Sequence, residues 1–141
     1  MYPKTHFFLG LIFIFLLWIF TSLSPLALLI ILASSVLIDV DHWFLYVVEK
    51  KGLSIRKAYD WCVYVGSHKH RNKGKQYLCI FHTIEFFTLM FILSFYSQII
   101  FYITIGCSFH FFIDLIDSYL HKGESRKPLS IISYFINFKK Q

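Results

Sequence analysis

Three short spacings carry the chemistry of this chain: Asp39-Val40-Asp41-His42, His82-Thr83-Ile84-Glu85 and His110-Phe111-Phe112-Ile113-Asp114. Each sets imidazole beside carboxylate, the mixed donor set that zinc, iron or manganese takes. Asp39/His42 and His82/Glu85 are three apart and His110/Asp114 four apart, so each pair shares a helix face. Asp41 points away from Asp39 on an ideal helix and joins it only if the helix frays there. His6 adds a fourth imidazole. With three or four histidines and four carboxylates the set exceeds what one tetrahedral ion needs. It fits one ion with outer carboxylates orienting the imidazoles, or two ions held as in metal-binding helix bundles.

The surroundings make these groups unusual. Five of the eight acidic residues, Asp39, Asp41, Glu85, Asp114 and Asp117, lie inside or at the edge of long apolar stretches. Ionisable side chains are costly at membrane depth and persist there when they pair, line a wet cavity or bind a metal. Asp117 stands close enough to a helix end for a capping role. With 57% hydrophobic residues and 17 phenylalanines, the chain is more apolar than an ordinary soluble domain.

The elements that must position the site follow from hydropathy. The 141 residues suffice for one domain. Four transmembrane helices are predicted over residues 4–20, 25–47, 77–95 and 97–120. Residues 7–20 lack a small-residue cleavage site and a second span follows closely, so they read as a span, not a signal peptide. Ser24 is a plausible cap with Pro25 at the first helical position. Residues 49–76 form a loop containing a short amphipathic helix at 54–65, with Ile55, Ala58, Tyr59, Cys62 and Val63 at helical spacing. Residues 121–141 form a tail, in which 129–138 read as a second interfacial helix. The expected fold is therefore an all-α, polytopic four-helix membrane bundle.

Charge orients it. Lys and Arg outnumber Asp and Glu by 14 to 8. Eight basic residues fall in 50–75, five follow residue 120 and one is Lys4, while the turns at 21–25 and 94–98 carry none. This bias puts both termini and the middle loop in the cytoplasm of an inner or plasma membrane, with no nucleic acid as partner. The run 69–75 is placed to touch anionic lipid headgroups. Counted from the outer turns, His6, Asp39, Asp41, His42, His82, Glu85, His110 and Asp114 all lie ~15–25 Å deep at 1.5 Å per residue. They form one layer near the cytoplasmic face. The three cysteines, Cys62, Cys79 and Cys107, show no zinc-knuckle or disulfide spacing and read as apolar filler.

Leu37-Ile38-Asp39-Val40-Asp41-His42, the later His82-Thr83 step and His110-x-x-x-Asp114 resemble the membrane-bound metal-dependent hydrolase family (YdjM-like), as does a histidine at position 6. The resemblance covers residues 4–117. It implies a divalent metal, one or two ions, with zinc foremost and Mn or Fe as alternatives. The ligands would come from Asp39, Asp41, His42, His82, His110, Asp114 and His6. The substrate would be a lipid-like ester or phosphoester at headgroup level. The chain departs from the pattern at Tyr77, where a histidine is usual, and at Trp43, where proline is usual. Glu85 or Asp41 is expected as general base or second-metal ligand. Two other functions remain open: a proton or ion transporter, and a structural or regulatory membrane protein whose polar cluster pins its helices.

Overall fold

A computed structural model describes residues 3–66, 77–120 and 129–138. The basic run 69–75, His68, His70 and the tail segment 121–128 lie outside the described residues. Seven α-helices follow in order: α1 (Pro3–Phe20), α2 (Pro25–Leu37), α3 (Val40–Lys50), α4 (Ile55–Gly66), α5 (Ile84–Ser94), α6 (Gln98–Leu120) and α7 (Ile131–Phe138). A 3-10 turn, Ile80–His82, precedes α5. No strand occurs among the described residues.

The centre of the molecule is the α2–α6 pair, with α1 against α2 and α5 against α6. α2 starts where expected: Ser24 Oγ accepts from the Ala27 amide at 3.2 Å and Pro25 opens the helix. Its buried face is Ala27, Leu28, Ile31 and Ser35, and that of α6 is Thr104, Gly106, Cys107 and His110. A β-carbon on Gly106 would overlap Ser34 Oγ and the Ile31 carbonyl. Small residues let membrane helices approach this closely.

The expected single span over 25–47 is interrupted. α2 stops at Leu37 and α3 begins at Val40. The cause lies in two serines. Ser34 Oγ donates to Ile30 O at 2.9 Å and Ser35 Oγ to Leu32 O at 2.8 Å. Such back-bonding perturbs a helix. The ladder then tightens to three-residue bonds, Asp39 N–H to Val36 O and His42 N–H to Asp39 O.

The expected span over 77–95 is also revised. Residues 77–79 are not helical, the 3-10 turn follows, and α5 begins only at Ile84. Thr83 is extended (φ −104°, ψ 152°) and accepts from the Phe86 amide, so it caps α5. The 11 residues of α5 cover about 16 Å at 1.5 Å each, against a hydrocarbon core of about 30 Å. Among the described residues two helices are long and apolar enough to cross a membrane, Pro25–Lys50 taken through its break and Gln98–Leu120. α1 and α5 are apolar but shorter. Large apolar side chains cover the outside, among them Phe8, Trp18, Leu29, Phe91 and Phe112. A water-facing surface rarely carries so much.

α4 packs on α3 through buried Ala58, and the Trp61 ring meets Tyr46 and Tyr77 at centroid distances of 5.9 and 5.4 Å. These contacts hold residues 77–79 beside α3.

Candidate metal centre

Each irregularity of the backbone delivers a side chain. The α2–α3 break turns Asp39 toward His110 of α6 and Asp41 toward the 3-10 turn. The 3-10 turn brings in His82, which is 5% exposed. One turn of α6 supplies His110, fully buried, and Asp114. α1 lays His6 on His110, the rings stacked 3.8 Å apart.

Four atoms converge. His82 Nε2 and His110 Nε2 are 3.4 Å apart. Asp39 Oδ1 lies 3.8 Å from His82 Nε2 and 3.4 Å from His110 Nε2. Asp114 Oδ2 lies 3.9 and 3.8 Å from the same two nitrogens. Donors bound tetrahedrally to zinc at ~2.0–2.2 Å stand about 3.3–3.6 Å from one another. These five separations lie at or a few tenths of an ångström above that range.

The outer hydrogen bonds decide which ring nitrogens face inward. The Ser35 carbonyl is an acceptor only, so His110 Nδ1–H donates to it at 2.7 Å. Asp41 Oδ2 accepts from His82 Nδ1–H at 2.9 Å and from the Phe81 amide at 3.3 Å. In the neutral rings both Nε2 atoms then present lone pairs to each other and to two carboxylates. A cation between them, a metal or added protons, is what satisfies four such donors. An outer carboxylate or carbonyl on Nδ1 is the arrangement that orients metal-binding histidines.

The remaining expected residues separate into distinct places. Asp41 is 7% exposed and sits behind the cluster, bridging two imidazoles: its other oxygen accepts from His42 Nδ1–H at 2.6 Å. His42 Nδ1 is also 3.6 Å from Asp39 Oδ1, so His42 flanks the cluster and turns Nε2 elsewhere. His6 Nε2 lies 3.2 Å from Asp114 Oδ1, where an N–H donated to the carboxylate steadies it. Ligand atoms of His6, His110 and Asp114 also lie within 4.8 Å of one another, as do those of Asp39, His42 and His82.

Glu85 is not brought to the cluster. Its carboxylate accepts from Ser130 Oγ at 2.5 Å, from the Ile131 amide at 3.1 Å and from the Ile132 amide at 3.4 Å, capping α7. The role of general base or second ligand expected of Glu85 is therefore replaced by a structural one. The reason is local: Thr83 splits His82 from α5, so the three-residue spacing no longer puts both on one helical face.

Two participants escaped the sequence reading. The Ser35 carbonyl orients His110, and a backbone oxygen has no sequence signature. Cys79, taken as filler, lies with Sγ 3.9 Å from His42 Nε2. Its place three residues before His82 was the one available signal. No family model, no curated protein and no solved structure matches this chain.

Proposed function

We propose that the chain is a membrane metal-dependent hydrolase that cleaves a lipid-like ester or phosphoester at the cytoplasmic headgroup level. The observation that carries the reading is the convergence of His82 Nε2, His110 Nε2, Asp39 Oδ1 and Asp114 Oδ2 at 3.4–3.9 Å. The motif resemblance to the metal-dependent hydrolases supports the reaction class. A divalent ion there, zinc foremost with manganese or iron as alternatives, would polarise the substrate's carbonyl or phosphoryl oxygen and acidify a water molecule.

The chain's own residues supply the rest. His82 and His110 are held with Nε2 inward by Asp41 and by Ser35 O. His6 steadies Asp114, which keeps its second oxygen toward the cluster. Asp39, 24% exposed, is the most open carboxylate of the set; with His82, His110 and Asp114 holding the ion, Asp39 would leave the fourth position to a water and take its proton.

In this reading α1 and the 77–94 segment complete a bundle of four membrane passes, with both termini and the α3–α5 connection on the cytoplasmic side. The bias of Lys and Arg supports that orientation. α4 and α7 lie at the interface, and substrate phosphate meets the basic run 69–75.

Elemental analysis of the protein purified in detergent tests the metal. Bound ion in the wild type and at least one ion fewer per chain in His110→Ala and Asp114→Ala are expected. Unchanged metal in both variants overturns the assignment. Ester- and phosphoester-lipid hydrolysis, with Asp39→Asn as control, then tests the reaction.

A further inference from the structure

Asp41 is used twice in the same way. Through Oδ2 it takes the Nδ1 proton of His82, whose Nε2 faces the four-atom cluster. Through Oδ1 it takes the Nδ1 proton of His42 at 2.6 Å. By the same tautomer argument His42 Nε2 presents a lone pair, and the Cys79 thiol lies 3.9 Å from it. Cys79 is 4% exposed. Ligand atoms of Asp41, His42 and Cys79 lie within 4.8 Å of one another. A thiol is a weak hydrogen-bond donor, and 3.9 Å is a loose fit for one. Two donors on one ion stand close to this: sulfur at ~2.3 Å and nitrogen at ~2.0 Å from zinc are about 3.5 Å apart, a closure of about 0.4 Å.

We infer that Cys79 Sγ and His42 Nε2 form a second, softer cation position beside the His/Asp cluster, with Asp41 orienting His42, and that it takes a thiophilic divalent ion such as zinc or cadmium. The two positions then differ in kind. One is built of imidazole and carboxylate, the other of imidazole and thiolate, and Asp41 is the outer partner of one imidazole in each. Binding replaces the Cys79 S–H proton, which leaves to solvent, with a metal–sulfur bond, and nothing is oxidised. The inference does not depend on hydrolysis or on an ion in the first cluster.

Cadmium titration of the reduced, detergent-purified protein tests it, because thiolate-bound cadmium has an ultraviolet charge-transfer band that carboxylate- and imidazole-bound cadmium lacks. The wild type is expected to show the band, saturating at one thiolate-bound ion per chain. Cys79→Ser, a nearly isosteric change, abolishes it, while Cys62→Ser and Cys107→Ser retain it. His42→Gln, which keeps an amide for Asp41, weakens the band-forming affinity about tenfold or more. Asp114→Ala keeps the band even where it empties the first cluster, so failure of one position is distinguishable from failure of the other. No band in the wild type, a band that survives Cys79→Ser, or one lost with Cys62→Ser overturns the inference.

Discussion

The two ends of the α2–α6 seam are built from opposite materials. Toward the end that the proposed orientation makes the outer one, Ala27, Leu28 and Ile31 are buried and Gly106 lies against Ser34 and the Ile31 carbonyl, and the fit depends on shape. Toward the inner end, Ser35 O and Asp39 meet His110, and Asp114 follows one turn further along α6. There the fit depends on charge. Close packing is complete in itself, because dispersion contacts and paired backbone need nothing added. The inner end gathers carboxylates and ring lone pairs that repel one another until a cation joins them. One pair of helices thus supplies both the rigid frame and a centre that frame holds under electrostatic tension.

The comparison can be broken most severely at the inner end. Asp114→Ala removes one of four convergent donors, and elemental analysis should find the ion of the His/Asp cluster missing, one ion fewer per chain. Adding metal to 100 times its Kd should raise wild-type stability by about 2.7 kcal/mol in thermal unfolding and the variant's by less. At the outer end Gly106→Val drives methyl groups into Ser34 and the Ile31 carbonyl. A loss of about 3 kcal/mol in denaturant unfolding is expected, and metal bound by whatever protein remains folded should be unchanged per chain.

Asp41→Asn tests the support behind the imidazoles. It should lower metal affinity about 10–100-fold while leaving the four donors in place, measured by competition with a chromophoric chelator. Acidification should act in the same direction across the whole inner end. The donors bind metal only when deprotonated, so affinity falls as pH falls and protons are released on binding. The smallest effect is expected from Glu85→Gln. It weakens the cap on α7, visible as faster hydrogen exchange at Ile131 and Ile132, with metal content unaltered.

That Asp39, His82, His110 and Asp114 stand together was legible in the sequence because helical rise converts residue number into position along each helix. His110 and Asp114 were legible as partners because α6 is regular where they stand. Asp41 was not, since i and i+2 point apart on an ideal helix, and the tightened turn at Asp39 arises from the hydroxyls of Ser34 and Ser35 bonding backward. Glu85 was misplaced for a related reason. The spacing to His82 assumed a continuous helix, whereas Thr83 starts α5 afresh. Its true partner, the start of α7, lies 45 residues away, a separation no local pattern encodes. Cys79 was hidden likewise, because its approach to His42 spans 37 residues.

The stacking of His6 on His110 has a consequence for biogenesis. One ring sits near the start of the described chain and the other on its penultimate described helix, so synthesis makes the first long before the second. Until α6 leaves the ribosome, His110 and Asp114 do not exist, and Asp39 and His82 have no opposite wall. In the proposed reading, loading of the His/Asp cluster is therefore a late event that reports completed assembly. A chain arrested before α6 should lack the ion of that cluster, and its loading would serve the cell as a checkpoint on assembly.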